Sequence, residues 1–129
     1  MKKILLIEDD PNVSAALEAR LAHAGYDVLT AEHPVHATFL SMICAPDLII
    51  SDVLMPMIEG PDYIRQLTSQ GDLRAPFIFL TASRRAGLRD EAMAIGAADF
   101  FEKPYDPVRL LAAVKTALES STSSSDFSS

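Results

Sequence analysis

Short apolar runs alternate along this chain with longer stretches of helical period. Ile4-Leu5-Leu6-Ile7 is an unbroken apolar run, the pattern of a strand covered on both faces. From Pro11, apolar residues recur at Val13, Ala16, Leu17, Leu21 and Ala24, which is helical spacing, and Gly25 supplies a stop. Residues 26–31 read as a second strand and 34–44 as a helix of weaker period. Residues 47–51, built around Leu48-Ile49-Ile50, are a third buried strand. Gly60-Pro61 opens a helix with Pro61 as its first helical residue, running to about Gln70 and ended by Gly71. Phe77-Ile78-Phe79-Leu80 is a fourth strand, entered through Pro76. A helix over 88–95 stops at Gly96, and 99–101 form a short fifth strand. Asp106-Pro107 then gives an N-cap followed by proline, with Leu110, Leu111, Val114 and Leu118 as the buried stripe of the last helix.

Five strand–helix units in succession, joined by short connections, require right-handed crossovers and a parallel sheet. Of the two common open orders, five strands favour the flavodoxin-like 2-1-3-4-5, an α/β fold with helices on both faces. Residues 1–119 are expected to form this one domain. Residues 120–129, rich in serine, are expected to be a disordered tail or the start of a linker.

Composition narrows the class. A chain of 129 residues, 49% hydrophobic and 22% charged, has the make-up of a soluble globular domain that can bury its own core. The single cysteine, Cys44, excludes a disulfide framework or a cysteine-rich zinc site and fits a cytoplasmic location. Eleven basic against 18 acidic residues give a net charge of −7, which argues against direct binding of nucleic acid or of an anionic membrane. Lys2-Lys3 before Ile4 imitates the start of a signal peptide, but Glu8-Asp9-Asp10 cuts the apolar run off, and no run approaches a membrane span.

In an open parallel sheet, sites form outside the carboxyl ends of the strands. Here strand one ends in Glu8-Asp9-Asp10, strand three in Asp52, strand four in Thr81 and strand five in Glu102-Lys103-Pro104. Taken singly, each has a plain explanation. Asp10 before Pro11 is a helix cap, Thr81 a turn cap, and Lys103 a solvated charge. Together they place several carboxylates on one rim, where they repel one another unless a cation is present. Carboxylates and a backbone carbonyl suit a hard ion such as Mg²⁺. Thr81 and Lys103 are then donors for an anion beside the metal, the parts list of a phosphoryl-transfer site.

These residues carry a resemblance. The segments Ile4–Asp10, then Asp47 through Asp52-Val53-Leu54-Met55-Pro56, Leu80-Thr81-Ala82, and Gly96-Ala97 through Phe101-Glu102-Lys103-Pro104 resemble the receiver (CheY-like) domains of response regulators in two-component signal transduction. The likeness covers residues 2 to about 119. It implies a phosphoprotein in which Asp52 accepts a phosphoryl group as an aspartyl phosphate, from a sensor histidine kinase or a histidine phosphotransfer protein of a phosphorelay. It further implies Mg²⁺ (or Mn²⁺) held by Glu8, Asp9, Asp52 and the backbone carbonyl of Leu54. Thr81 and Lys103 would bind phosphoryl oxygens, and Phe100 would be the aromatic switch that turns inward as Thr81 moves. Such a domain is a switch rather than a metabolic enzyme, catalysing only its own phosphorylation and dephosphorylation. Its output partner would dock on the fourth helix, fifth strand and fifth helix, with no direct nucleic-acid contact and no membrane insertion. Arg84, Arg85 and Arg89 lie there and read first as a solvated face, with a partner role as the second reading. Leu54 and Ser83 fall two residues beyond Asp52 and Thr81, the positions expected to set the lifetime of the phosphate. The family's usual Met-Pro-any-Met-Asp-Gly is here Met55-Pro56-Met57-Ile58-Glu59-Gly60, and Phe100 lacks the hydroxyl of the commoner tyrosine.

Other readings compete. A haloacid-dehalogenase-type phosphatase also uses aspartate and Mg²⁺, but its Asp-any-Asp pattern follows the first strand, where this chain has Glu8-Asp9-Asp10. An FMN-binding flavodoxin needs a neutral loop there for the phosphate, which these acids would repel. An inert interaction module leaves the clustered acids unexplained. His33 and His36, spaced like a metal pair, have no acid or cysteine of matching spacing and are read as surface histidines.

Overall fold

The strands form where the sequence is apolar at consecutive positions, because both of their faces are covered. The computed structural model describes residues 1–55, 58–69 and 75–128. Its central sheet holds β1 (Lys3–Ile7), β2 (Asp27–Ala31), β3 (Leu48–Asp52), β6 (Phe77–Thr81) and β7 (Asp99–Glu102). Their order is β2-β1-β3-β6-β7 and every neighbouring pair is parallel. This is the 2-1-3-4-5 order expected. All five residues of β3 and of β6 are buried, as central strands between two helical layers must be.

Alternation along the strands divides the core in two. Leu5, Ile7, Ile49 and Phe79 face one layer, packed with Tyr63, Ile64, Leu88, Ala92 and Phe100. Ile4, Leu6, Leu48, Ile50, Ile78 and Leu80 face the other, packed with Leu17, Leu21, Leu110, Val114 and Leu118. The second layer is made by α1 (Pro11–His23) and α5 (Pro107–Ser128). The first holds α2 (Pro34–Cys44), α3 (Gly60–Ser69) and α4 (Leu88–Ala94).

Three helices start in one way. Asp10, His33 and Asp106 each accept the N–H of a first-turn residue, at 2.9, 3.2 and 2.9 Å, and each is followed by proline, whose missing N–H costs nothing at that position. The cap role of His33 carries no composition signal, since histidine is an uncommon cap. Gly25 and Gly96 close α1 and α4 with φ of 101° and 99°, where a side chain would be strained.

The structure departs from the sequence reading in a few places. The buried face of α1 is Ser14, Leu17 and Leu21, while Ala16 and Ala24 lie exposed; the Ser14 hydroxyl is satisfied by the Pro11 carbonyl at 3.2 Å and so tolerates burial. A small antiparallel pair, β4 (Leu54–Met55) with β5 (Ile58–Glu59), follows β3 and was not foreseen. α5 runs on as helix to Ser128, past the expected boundary at 119, because neither glycine nor proline interrupts the chain after Pro107. Gly71, the expected end of α3, lies outside the described residues, as do Pro56 and Met57 of the motif after Asp52. No helix among the described residues is long and apolar enough to cross a membrane.

Candidate functional site

Register decides what meets at the carboxyl rim. Ile7 of β1 pairs with Ser51 of β3, Asp52 with Leu80 of β6, and Thr81 with Glu102 of β7. Glu8, Asp52, Thr81 and Lys103 therefore leave their strands at one level, although 95 positions separate Glu8 from Lys103. Carboxylate oxygens of Glu8, Asp9 and Asp52 all lie within 4.8 Å of one another. Glu8 and Asp52 are buried and Asp9 is open to solvent.

The Lys103 ammonium stands between the two buried acids, 3.1 Å from Glu8 Oε1 and 3.0 Å from Asp52 Oδ2. The Lys103-Pro104 bond is cis. The other Asp52 oxygen, Oδ1, accepts the Leu54 N–H at 3.0 Å. That turn, an aspartate receiving the N–H two residues on, is a recurrent local motif and was open to anticipation from Asp52 alone.

One ammonium does not balance this cluster. Burial first, and then the hydrogen bond and charge of Asp52, push the Glu8 carboxyl up to about 8, against the opposing pull of Lys103. Lys103 loses some of its preference for the charged form to burial, but Asp52 and Glu8 outweigh that and raise its pKa. Three oxygen donors in excess of local positive charge are what a hard divalent cation requires, so these residues fit a metal of the Mg²⁺ class.

Thr81 is fully buried, and its Oγ1 accepts the Ser83 N–H at 2.9 Å. The plain reading of Thr81 as a turn cap is therefore met, and its O–H is left to donate. Ser83 Oγ in turn accepts the Arg85 N–H at 3.2 Å, while the Leu54 side chain is 47% exposed over the rim.

Phe100 lies in the core, only 4% exposed. Arg89 covers it, with its guanidinium 6.0 Å from the ring centre and a hydrogen bond of 3.1 Å to the Phe100 carbonyl. Sequence reasoning missed this contact, because nothing in the spacing of Arg89 and Phe100 marks a partner across two elements. Arg84 pairs with Glu102 and Arg85 with Glu91, at exposed positions.

A doubly covered parallel sheet with an acidic, metal-competent rim and a lysine between the acids defines a class, the signalling receivers. Residues 4–115 match the response regulator receiver domain family, and the chain belongs to that family, a component of two-component systems. It is 34% identical over 120 residues to the alkaline phosphatase synthesis transcriptional regulatory protein PhoP of Bacillus subtilis, covering 93% of this chain and 50% of that one. Among solved structures it is similar to the receiver domain of a signal transduction histidine kinase from Syntrophus aciditrophicus, at 36% identity and a TM-score of 0.84, covering 93% and 92% of the two chains. The chemotaxis response regulator CheY4 of Vibrio cholerae is similar at 29% identity and a TM-score of 0.81, covering 91% and 98%. The chain spans about half the length of the curated relatives it matches.

Proposed function

We propose that this receiver takes a phosphoryl group onto Asp52 from the phosphohistidine of a sensor kinase or a histidine phosphotransfer protein. The observation that carries this reading is the Lys103 ammonium held between Asp52 and Glu8 at the end of the central strand β3. An Asp52 oxygen attacks phosphorus, the O–P bond forms as the N–P bond breaks, and the departing imidazole keeps the electron pair and takes a proton. The product is an acyl phosphate. Lys103, already beside Asp52, then neutralises and holds one phosphoryl oxygen, and the Thr81 hydroxyl hydrogen-bonds another once it has turned toward the new anion. Mg²⁺ (or Mn²⁺), held by Glu8, Asp9, Asp52 and the Leu54 carbonyl, would supply further charge neutralisation for the transferring group.

Turning toward the new anion, Thr81 gives up the Ser83 N–H and loosens the turn that leads to α4. Phe100 already lies inside, so the change passes to the output face through the position of its ring and of Arg89 above it. That face, between α4, β7 and α5, has a groove of about 840 Å³ lined by Arg89, Asp99, Phe101, Tyr105 and Arg109, large enough for a partner's side chains. The receiver unit is assigned to residues 1–119, working in the cytoplasm, where its phosphodonors present their histidines.

The test is intact-mass analysis after incubation with acetyl phosphate and Mg²⁺. One phosphoryl group should be added, and it should be lost with chelator, in Asp52→Asn and in Asp9→Ala. Thr81→Ala should still be labelled while its partner affinity stops responding to the label. Full labelling of Asp52→Asn overturns the proposal.

A further inference from the structure

Helix α2 is apolar on the side that faces away from the core. Its inner side carries the buried Ala37 and the half-buried Leu40 and Cys44. Its outer side carries Val35, Phe39, Met42 and Ile43, exposed at 78%, 58%, 75% and 61%. At 100° per residue these four fall within a stripe about 100° wide, the width of a face meant to be covered. They account for half of the large hydrophobic side chains exposed among the described residues. A helix apolar on both sides is normally buried on both.

We infer that a second copy of this chain covers the stripe, in an antiparallel α2–α2 pair about a two-fold axis at Phe39. Charge and area favour this occupant. No residue of α2 is Asp, Glu, Lys or Arg, in a chain of net charge −7. Two copies repel at long range, and an uncharged stripe is where they can touch without burying like charges. A membrane surface is a poor match, since α2 itself has no lysine or arginine, and the Lys3 ammonium hydrogen-bonded at its end is held on the Cys44 carbonyl.

The four side chains present on the order of 450 Å² of surface, within the range of functional patches. Two copies would bury roughly 900 Å² from these residues alone. The exposed His36 at the rim brings the total to the ~1,000–1,200 Å² at which weak, reversible interfaces begin. Val35, Phe39 and Ile43 form one ridge of residues four apart, which interdigitates with its own image across a two-fold axis. The axis sets Phe39 against Phe39 and Val35 against Ile43, and it brings each helix's positive amino end toward the partner's carboxyl end. This surface lies on α2, not on α4, β7 and α5, and its use does not depend on Asp52.

Sedimentation equilibrium of the full chain, without phosphodonor, tests it. Monomer and dimer should exchange with a dissociation constant of tens to hundreds of micromolar, as the small area implies. Phe39→Glu should weaken association by at least ~30-fold, as expected for a central aromatic anchor. Well below the wild-type dissociation constant its urea midpoint should change little, because Phe39 is 58% exposed in the monomer. Phe39→Lys alone should also be monomeric, but mixing Phe39→Lys with Phe39→Glu should restore a one-to-one pair, since residue 39 meets itself at the axis. Arg89→Ala should leave association unchanged. A wild-type chain that stays monomeric at about 1 mM, or a dimer that survives Phe39→Glu, overturns the proposal and leaves the stripe to a different partner.

Discussion

The two ends of the sheet carry similar residues and treat them in opposite ways. At the amino ends of the strands, Lys3 is exposed, and Asp47 and Asp99 each accept a backbone N–H. Asp47 Oδ2 accepts the Lys3 N–H at 2.8 Å, and Asp99 Oδ1 accepts the Phe100 N–H at 2.8 Å. None of Asp27, Asp47 and Asp99 is buried there. At the carboxyl ends, Glu8 and Asp52 are buried side by side with the Lys103 ammonium between them. The same residue types tidy up the chain at one rim and store unbalanced charge at the other. Burial and convergence make the difference, and both follow from register: the carboxyl rim brings acids from two adjacent central strands to one level.

If that contrast is right, removing a charge should matter at one rim and hardly at the other. The largest effect is expected for Lys103→Met, which removes the ammonium from between the buried Asp52 and Glu8. Breaking a buried ion pair by losing one partner costs about 3–5 kcal/mol. Lys103 is one-fifth exposed, so about 2 kcal/mol is expected in metal-free urea unfolding, partly recovered in excess Mg²⁺. An unchanged midpoint would mean that the acids are not strained.

Next comes the response to pH in metal-free buffer. The Glu8 carboxyl stands at about 8 in the fold against 4.5 ordinarily, so the native state favours its protonated form. The stability it contributes is fully present below about pH 4.5 and is lost as pH rises through 8. Glu8→Gln should flatten this part of the urea-midpoint profile. A profile that instead rises through the same window in the wild type, and is unaltered by Glu8→Gln, would reverse the sign of the argument.

A smaller effect concerns the phosphorylated state. Leu54 cannot hydrogen-bond a water above the rim with its side chain, and Ser83 is short and neutral. Neither is well placed to orient an attacking water, so the phosphate should be long-lived. Leu54→Asn should speed its loss by up to about tenfold, equivalent to ~1.4 kcal/mol, in decay measurements after the donor is removed. Smallest of all is Asp47→Ala at the amino rim. It should cost about 0.5–1 kcal/mol, the worth of one exposed hydrogen bond, and leave phosphate uptake as it was.

The sheet and most of its helices were legible because their causes are local. Unbroken apolar runs reveal buried strands, and Asp10-Pro11 or Asp106-Pro107 reveals a helix start. The carboxyl rim was legible because strand order turns strand ends into neighbours. Features resting on a particular side-chain path were not. That Glu8 meets Lys103, and that Arg89 caps Phe100, depends on distances across the fold that no spacing encodes. The β4–β5 pair is too short to leave a period, and Ser14 was hidden because its burial rests on a hydroxyl bond to Pro11 rather than on hydropathy.

The central claim is that the carboxyl rim makes Asp52, among three close carboxylates, the one that bears the phosphoryl group. Borohydride trapping tests it most directly. Hydride reduces an acyl phosphate to the alcohol with release of phosphate, so the labelled aspartate becomes homoserine and can be located by peptide mass. After acetyl phosphate and Mg²⁺, the account predicts homoserine at position 52 and unmodified Glu8 and Asp9. Reduction at Glu8 or Asp9, with Asp52 intact, would contradict it.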